Sequence, residues 1–255
     1  MRACFTIGHF TFIQLIRSKV LINTVLIGLL LALVSFISYE ISYGARSKMA
    51  LDIGLGLNFL SMFGISLFLG VGLLAEEIEN RTLYMAIVSP IKRWQFLLGK
   101  ILGMCLTLIL NGSILMVIIL SSYLIMGGQL SPLIFFTILF DLLSSLIILS
   151  LVIFFSLFTN KTIAVLFTVT VVITGSVLHE LALLNFVIRQ EVLSLFVDFL
   201  RWLMPNFSIL DIKDLTLYNH SLPASYLFKT ITYSLTYLFF INMLSCIVFE
   251  KKELN

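Results

Sequence analysis

Long runs without Asp, Glu, Lys or Arg fill most of this 255-residue sequence. Such runs predict membrane-spanning helices, because a helix needs about 20 apolar residues to cross ~30 Å of hydrocarbon. The longest run, 101–140, contains a turn cluster from Gly127 to Pro132, so it predicts two spans joined by that turn. The six predicted spans are 20–39, 53–75, 101–126, 133–160, 162–178 and 230–249.

The composition requires that most of the protein surface faces lipid. Hydrophobic residues make up 60% of the chain and charged residues 11%, whereas charged residues are about a quarter of an ordinary soluble domain. The net charge of +3 is too small to predict a nucleic-acid partner, which requires an extended basic face. The cysteines, Cys4, Cys105 and Cys246, stand far apart and predict neither a disulfide framework nor a thiolate metal site.

We therefore predict an all-α integral membrane protein that forms a single membrane domain over residues 1–255. No internal repeat or low-complexity linker divides the chain. Its predicted parts are an N-terminal interfacial helix (1–19), spans one and two (20–75), a cytoplasmic segment (76–100), spans three to five (101–178), an outer loop (179–229), span six (230–249) and a cytoplasmic tail (250–255).

The basic residues predict that both termini are cytoplasmic. Cytoplasmic loops of membrane proteins carry an excess of Lys and Arg. In this orientation ten basic residues lie inside and six outside. Four of the six outer ones fall in the long loop 179–229, which can cross the membrane with little regard to its charge.

Residues 1–19 predict a helix that lies in the inner membrane interface. Arg2, Thr6, His9 and Arg17 recur on one side of such a helix, and apolar residues flank them. An extended first membrane helix is the alternative. A cleavable signal is disfavoured, because the apolar run that follows is of spanning length and no clean small-x-small site comes after it.

Motifs for catalysis are missing from the sequence. Gly99-Lys100 has neither the glycine turn before it nor the hydroxyl residue after it that a phosphate-binding loop needs. His179-Glu180 begins like a zinc-protease motif, but Leu183 replaces the second histidine. We therefore expect a non-catalytic chain with no metal or cofactor of its own.

The cytoplasmic segment 76–100 combines charged and apolar residues in an ordered way. An acidic cluster is followed by the apolar patch 83–88 and by a helix start at Ser89-Pro90. A solvated positive-inside loop would explain its basic residues but not the patch. Exposed apolar surface beside charges is typical of a docking site.

The same residues resemble a known family. The pattern Glu-x-x-Glu-x-Arg-Thr-Leu at 76–83, with Ser89-Pro90, Arg93 and Phe96-Leu97-Leu98-Gly99-Lys100, resembles the signature of ABC-2 type permease subunits of ABC transporters. The outer pattern Met204-Pro205-Asn206-Phe207, with Asp211 and Lys213, resembles the outer loop of the same family, particularly the branch related to the copper-maturation permease of nitrous-oxide reductase clusters. The charged ending 249–254 is similar to the ending of the family. Ile91-Lys92 departs mildly from the residues often found there.

The resemblance implies that residues 76–100, hereafter the coupling region, seat in a groove of a separate cytoplasmic ABC ATPase. It implies two ATPase copies, which carry ATP and Mg, and two copies of this chain in the bacterial inner membrane. The predicted ATPase-coupling residues are Glu76, Glu77, Glu79, Arg81, Tyr84, Pro90 and Arg93.

Within the predicted spans, glycines and one acid stand out. Gly64, Gly70, Gly99 and Gly103 are candidates for a dimer or packing face, because small residues let helices approach closely. General tolerance of glycine in membrane helices explains any one of them equally well. Asp141 is a candidate pathway residue, with a position at the outer headgroups as the alternative.

The outer loop predicts an amphipathic or re-entrant helix over 185–204, anchored by Trp202 and ended before Pro205. It either shapes an exit for substrate, contacts a periplasmic partner, or only caps the bundle.

We expect a permease subunit of an ATP-driven exporter. The alternative is a non-transporting subunit that passes ATP-driven motion to a periplasmic maturation partner. An ion-driven carrier would need several intramembrane acids, and this chain offers Asp141 at most.

Overall fold

The computed structural model describes residues 2–18, 20–41, 46–72, 92–182, 190–218 and 222–251. These residues are helical or form turns and connecting segments, and no strand occurs among them. The helices are α1 (Arg2–Arg17), α2 (Val20–Ile41), α3 (Arg46–Gly70), α4 (Arg93–Ile125), α5 (Pro132–Ser156), α6 (Lys161–Leu181), α7 (Glu191–Leu203), α8 (Lys213–Leu217) and α9 (Ala224–Lys251).

Six of these helices are long and apolar enough to cross a membrane, which confirms the predicted number of spans. They are α2, α3, α4, α5, α6 and α9. Several begin before the uncharged runs do: α3 begins at Arg46 and α9 at Ala224, although the runs begin at 53 and 230. A charge-free run marks the stretch that suits hydrocarbon, whereas helical hydrogen bonding continues through charged residues at either end.

The turn between α4 and α5 follows the local sequence closely. Gly127 has a φ of 76°, a left-handed conformation that glycine adopts without a steric penalty. Ser131 precedes α5, and its hydroxyl oxygen accepts a hydrogen bond from the Leu133 N–H at 3.4 Å. Pro132 takes the first helical position, where its missing N–H costs nothing.

Neighbouring spans alternate in direction. A Cβ atom on Gly54 would lie 3.7 Å from Ile119, and one on Gly112 would lie 3.0 Å from Met62, so α3 and α4 are antiparallel. In contrast, α3 and α5 run in parallel, because Asn58 contacts Asp141 and Gly70 packs against Val152. The central helix is α5, which contacts α3, α4, α6, α8 and α9.

This alternation sorts the connections between the two ends of the bundle. The turn 126–131 and the segment 190–218 lie at one end, which we call the turn end. The first and last described residues lie at the other end, which we call the terminal end. Helix α1 packs on the start of α4 there, and α9, which runs parallel to α5, ends there. With cytoplasmic termini, as predicted, the turn end faces outward.

We expect single cysteines at Lys48 and Gln129 to react with an impermeant thiol reagent in intact cells, and cysteines at Lys92 and Lys251 to stay unlabelled. All four positions are exposed, and the first two belong to the turn end. Serine would first replace the native cysteines. Labelling at position 92 in intact cells would contradict the predicted orientation.

Helix α1 packs along the first third of α4 through glycines. A Cβ atom on Gly99 would lie 2.8 Å from Ile7, and one on Gly103 would lie 2.7 Å from the Gly8 carbonyl oxygen and 2.6 Å from Thr11. The two backbones therefore approach as closely as only glycine permits. The opposite side of α1 is exposed and carries Phe5, Thr6, His9 and Phe10.

We expect Gly103→Ala to destabilise the protein by about 1–3 kcal/mol, because the added methyl group overlaps Thr11 and the α1 backbone. The matched control is Gly64→Ala, where a Cβ atom meets nothing within 4 Å. Alanine is the better helix former, so the control should be neutral or stabilised by up to about 1 kcal/mol. Thermal unfolding of both variants in detergent measures the difference. Equal melting temperatures would contradict the α1–α4 contact.

Candidate functional site: a polar cavity at the turn end

A cavity of about 470 Å³ opens between α3, α5, α6 and the segment that follows α7. Its walls combine carboxylates, one ammonium group and hydroxyls with aromatic and aliphatic side chains. Polar groups inside a membrane bundle are costly and usually mark functional positions. We therefore take this turn-end cavity as the candidate site.

The outer wall of the turn-end cavity is the segment 204–217, which packs into the bundle. Helix α7 ends at Leu203, directly before Met204-Pro205. The side chains of Phe207, Leu210 and Ile212 are buried and join the main hydrophobic core. This segment is therefore an integral part of the bundle.

Three hydrogen bonds hold segment 204–217 in place, two through its backbone and one through the Ser208 side chain. The Asn206 N–H donates to the Tyr233 hydroxyl oxygen at 2.8 Å, and the Tyr226 hydroxyl donates to the Ile209 carbonyl oxygen at 2.8 Å. The Ser208 hydroxyl donates to the carbonyl oxygen of Ser176 in α6 at 2.6 Å. These bonds tie the outer wall to α6 and α9.

Asp141 lies on the inner wall of the turn-end cavity. It stands nine residues after Pro132, which places it about 13 Å along α5 at 1.5 Å per residue. Its Oδ2 accepts a hydrogen bond from the Asn58 Nδ2–H at 2.7 Å, and Asn58 is only 1% exposed. Asp141 therefore lies within the helix bundle, more than two turns beyond the start of α5.

An ion pair joins segment 204–217 to α3 beside the cavity. The Lys213 Nζ lies 2.5 Å from an Asp52 carboxylate oxygen. The lysine side chain passes over Gly56, where an added Cβ atom would lie 3.0 Å from Nζ. Any larger residue at position 56 would therefore displace the ammonium group. At its other end, the Lys213 N–H donates to Asp211 Oδ1 at 3.3 Å.

Hydroxyl groups complete the cavity wall, and several have already donated their hydrogens to carbonyl oxygens. The Ser176 hydroxyl donates to the Val172 carbonyl at 2.9 Å, and the Ser208 hydroxyl to that of Ser176. Thr137 and Thr216 share a hydrogen bond of 2.6 Å between α5 and α8. No group of three or more His, Cys, Asp or Glu residues in the described part of the chain is placed to hold a metal ion.

The other predicted site residues fall in four places. Glu76, Glu77, Glu79, Arg81, Tyr84 and Pro90 lie outside the described residues, whereas Arg93 begins α4. Gly70, Gly99 and Gly103 pack inside the bundle. Gly64 instead lines a largely apolar groove of about 410 Å³ between α2 and α3.

Sequence reasoning missed Asn58, Asp52 and the hydroxyl residues of the cavity. A helical-face pattern was present in the sequence: Thr137, Asp141 and Ser144 recur at intervals of four and three residues, as expected for one side of a helix. No comparable pattern in the sequence indicated that α3 lines the cavity, because the hydrogen bond between Asn58 and Asp141 joins residues 83 positions apart.

No model of a known protein family matches the chain, and no curated protein is significantly similar to it.

Proposed function

We propose that this chain is the membrane-spanning permease subunit of an ATP-driven exporter, and that a separate cytoplasmic ABC ATPase supplies the energy. The observation that carries the proposal is the turn-end cavity, which reaches a carboxylate well inside a six-helix bundle. With cytoplasmic termini, this cavity opens outward, as the exit half of an export path requires. Acidic residues inside membrane-spanning segments are rare and usually mark functional positions.

The energy source is inferred from the sequence. It contains no phosphate-binding loop, so any work must come from a partner. The coupling region resembles the ABC-2 signature, and its described part, residues 92–100, lies at the terminal end. Its acidic residues would set the register on the ATPase, and its apolar patch would supply most of the binding energy. The proposed setting is the bacterial inner membrane.

A second candidate function is the transmission of motion to a periplasmic partner without transport. The packing of segment 204–217 favours it, because Phe207, Leu210 and Ile212 anchor that outer segment in the bundle core. A movement of α3 or α5 would therefore be passed to the outer surface.

Inside-out vesicles that contain the purified permease–ATPase complex separate the two functions. The vesicles would be incubated with a small-molecule extract of the source cells and either ATP or a non-hydrolysable analogue. Mass spectrometry of the vesicle lumen then detects any solute that accumulates with ATP only. Such accumulation is the result we expect. Permease-dependent ATP hydrolysis with no accumulated solute would favour the transmission of motion.

A further inference from the structure

The turn-end cavity carries an excess of negative charge. Asp141, Asp211 and Asp214 line it together with Lys213. The lysine already pairs with Asp52 outside the lining, so its charge is balanced before the other three carboxylates are counted. Asn58 gives Asp141 a hydrogen bond but no positive charge. A carboxylate this far inside a membrane bundle is stable only when a positive charge or a proton neutralises it.

The neutral groups of the cavity wall also favour a cation. The hydroxyls of Ser176 and Ser208 have donated their hydrogens to backbone carbonyls, so their oxygens present lone pairs. Asp141 and Asp211 likewise present only acceptors when ionised. The side-chain oxygens of these four residues therefore face a ligand as hydrogen-bond acceptors, an arrangement that suits an ammonium group.

The size and apolar surface of the cavity point to an organic ion. A volume of about 470 Å³ falls within the range of about 300–1,000 Å³ that is typical of small-molecule sites. Phe59 and Phe207 line the cavity from α3 and from segment 204–217. Aromatic rings attract organic cations through their π faces and also contact their apolar parts.

We propose that the turn-end cavity binds a small organic cation, whose ammonium group pairs with Asp141 and whose apolar part contacts Phe59 and Phe207. As a binding site, this inference depends on the cavity alone. As the cargo class of an exporter, it rests on the function proposed above.

The test compares two probes of nearly equal shape, choline and its uncharged analogue 3,3-dimethylbutan-1-ol. Binding to the purified full-length chain in dodecyl maltoside, which lacks a choline group, would be followed by saturation-transfer NMR. We expect choline to bind about tenfold more tightly or better, because opposite charges about 4 Å apart attract strongly where the effective dielectric constant is low. Equal affinities for the two probes would overturn the proposal.

Substitutions test whether Asp141 forms the binding site for the cation. Asp141→Asn keeps the side-chain shape and should abolish the preference for choline. The matched control is Asp198→Asn, an exposed carboxylate on α7 that pairs with Arg201 away from the cavity, and it should keep the preference. A preference that survives in a monodisperse Asp141→Asn protein would overturn the proposal.

The double variant Asp211→Asn/Asp214→Asn guards against poor folding of Asp141→Asn. Both residues are exposed at the cavity mouth, and their removal should weaken choline binding about threefold through the lost attraction. Unchanged choline affinity in this variant would count against the proposal. The assay uses neither ATP nor ATPase, so its failure removes the cation site and leaves ATP-driven transport to the vesicle experiment.

Discussion

Reversal of the charges at Glu76 and Glu79, combined with Tyr84→Ala, is expected to reduce co-purification of the ATPase subunit by about tenfold or more. The reason is that truncation of a central docking residue commonly costs more than 1–2 kcal/mol, and 1.4 kcal/mol is about a factor of ten in affinity. Affinity pull-down in detergent measures the retained ATPase. The same variant should uncouple ATP hydrolysis from the permease.

A matched control makes the same kinds of change at the turn end. Asp198→Lys combined with Tyr218→Ala reverses an exposed acid and truncates an exposed tyrosine, and it should leave co-purification unchanged. If the coupling-region variant retains as much ATPase as this control, the docking site is wrong.

The proposed assembly contains two copies of this chain. Mass photometry of the complex should give two permeases with two ATPases, because alternating access is simplest between two facing halves and this chain has no internal repeat. Close packing inside one chain already uses Gly70, Gly99 and Gly103. A stable complex with one permease per two ATPases would exclude the homodimer.

The number of spans could be predicted from the sequence because the requirement behind it is local. A stretch that crosses hydrocarbon must be nearly free of charge, and this holds whatever its neighbours are. The ends of the helices depend on neighbours. Lys100 stands directly before the uncharged run 101–140, yet it is buried within α4. Its ammonium group lies 5.7 Å from the centre of the Phe96 ring. The packing of α1 on this part of α4 was not visible in the charge pattern.

The candidate site was less predictable, because it depends on contacts between distant segments. Asp141 could be singled out as an acid within an apolar region, but its depth depends on where α5 begins and its partner belongs to α3. The apolar residues of segment 204–217 alternate with Ser208, Asp211 and Lys213. No hydropathy window identifies such a stretch as core, so the segment appeared to be an outer loop.

A large effect on stability is also expected from Asn58→Leu. Leucine has the same branching and the same number of side-chain heavy atoms as asparagine, but it leaves the Asp141 carboxylate without the Asn58 hydrogen bond. Hydrogen bonds to charged groups contribute about 1.5–3 kcal/mol, so we expect a loss of about 2 kcal/mol. That loss corresponds to a fall of about 4–8 °C in the melting temperature of a chain of this size. Thermal unfolding in detergent measures it.

The double variant Asn58→Leu/Asp141→Leu should recover most of this loss, because it removes the carboxylate together with its donor. The matched control is Asn242→Leu. Asn242 also donates between helices, to the Ser150 hydroxyl oxygen at 3.2 Å, and its Oδ1 has no hydrogen-bond partner, as is true of Asn58. Its partner is uncharged, so its loss should be near the average of about 0.6 kcal/mol for interhelical hydrogen bonds in membranes. If Asn242→Leu costs as much as Asn58→Leu, or if the double variant is less stable than Asn58→Leu alone, Asp141 is not a charged group that depends on Asn58. The inner wall of the cavity would then lack the negative charge on which an organic cation depends.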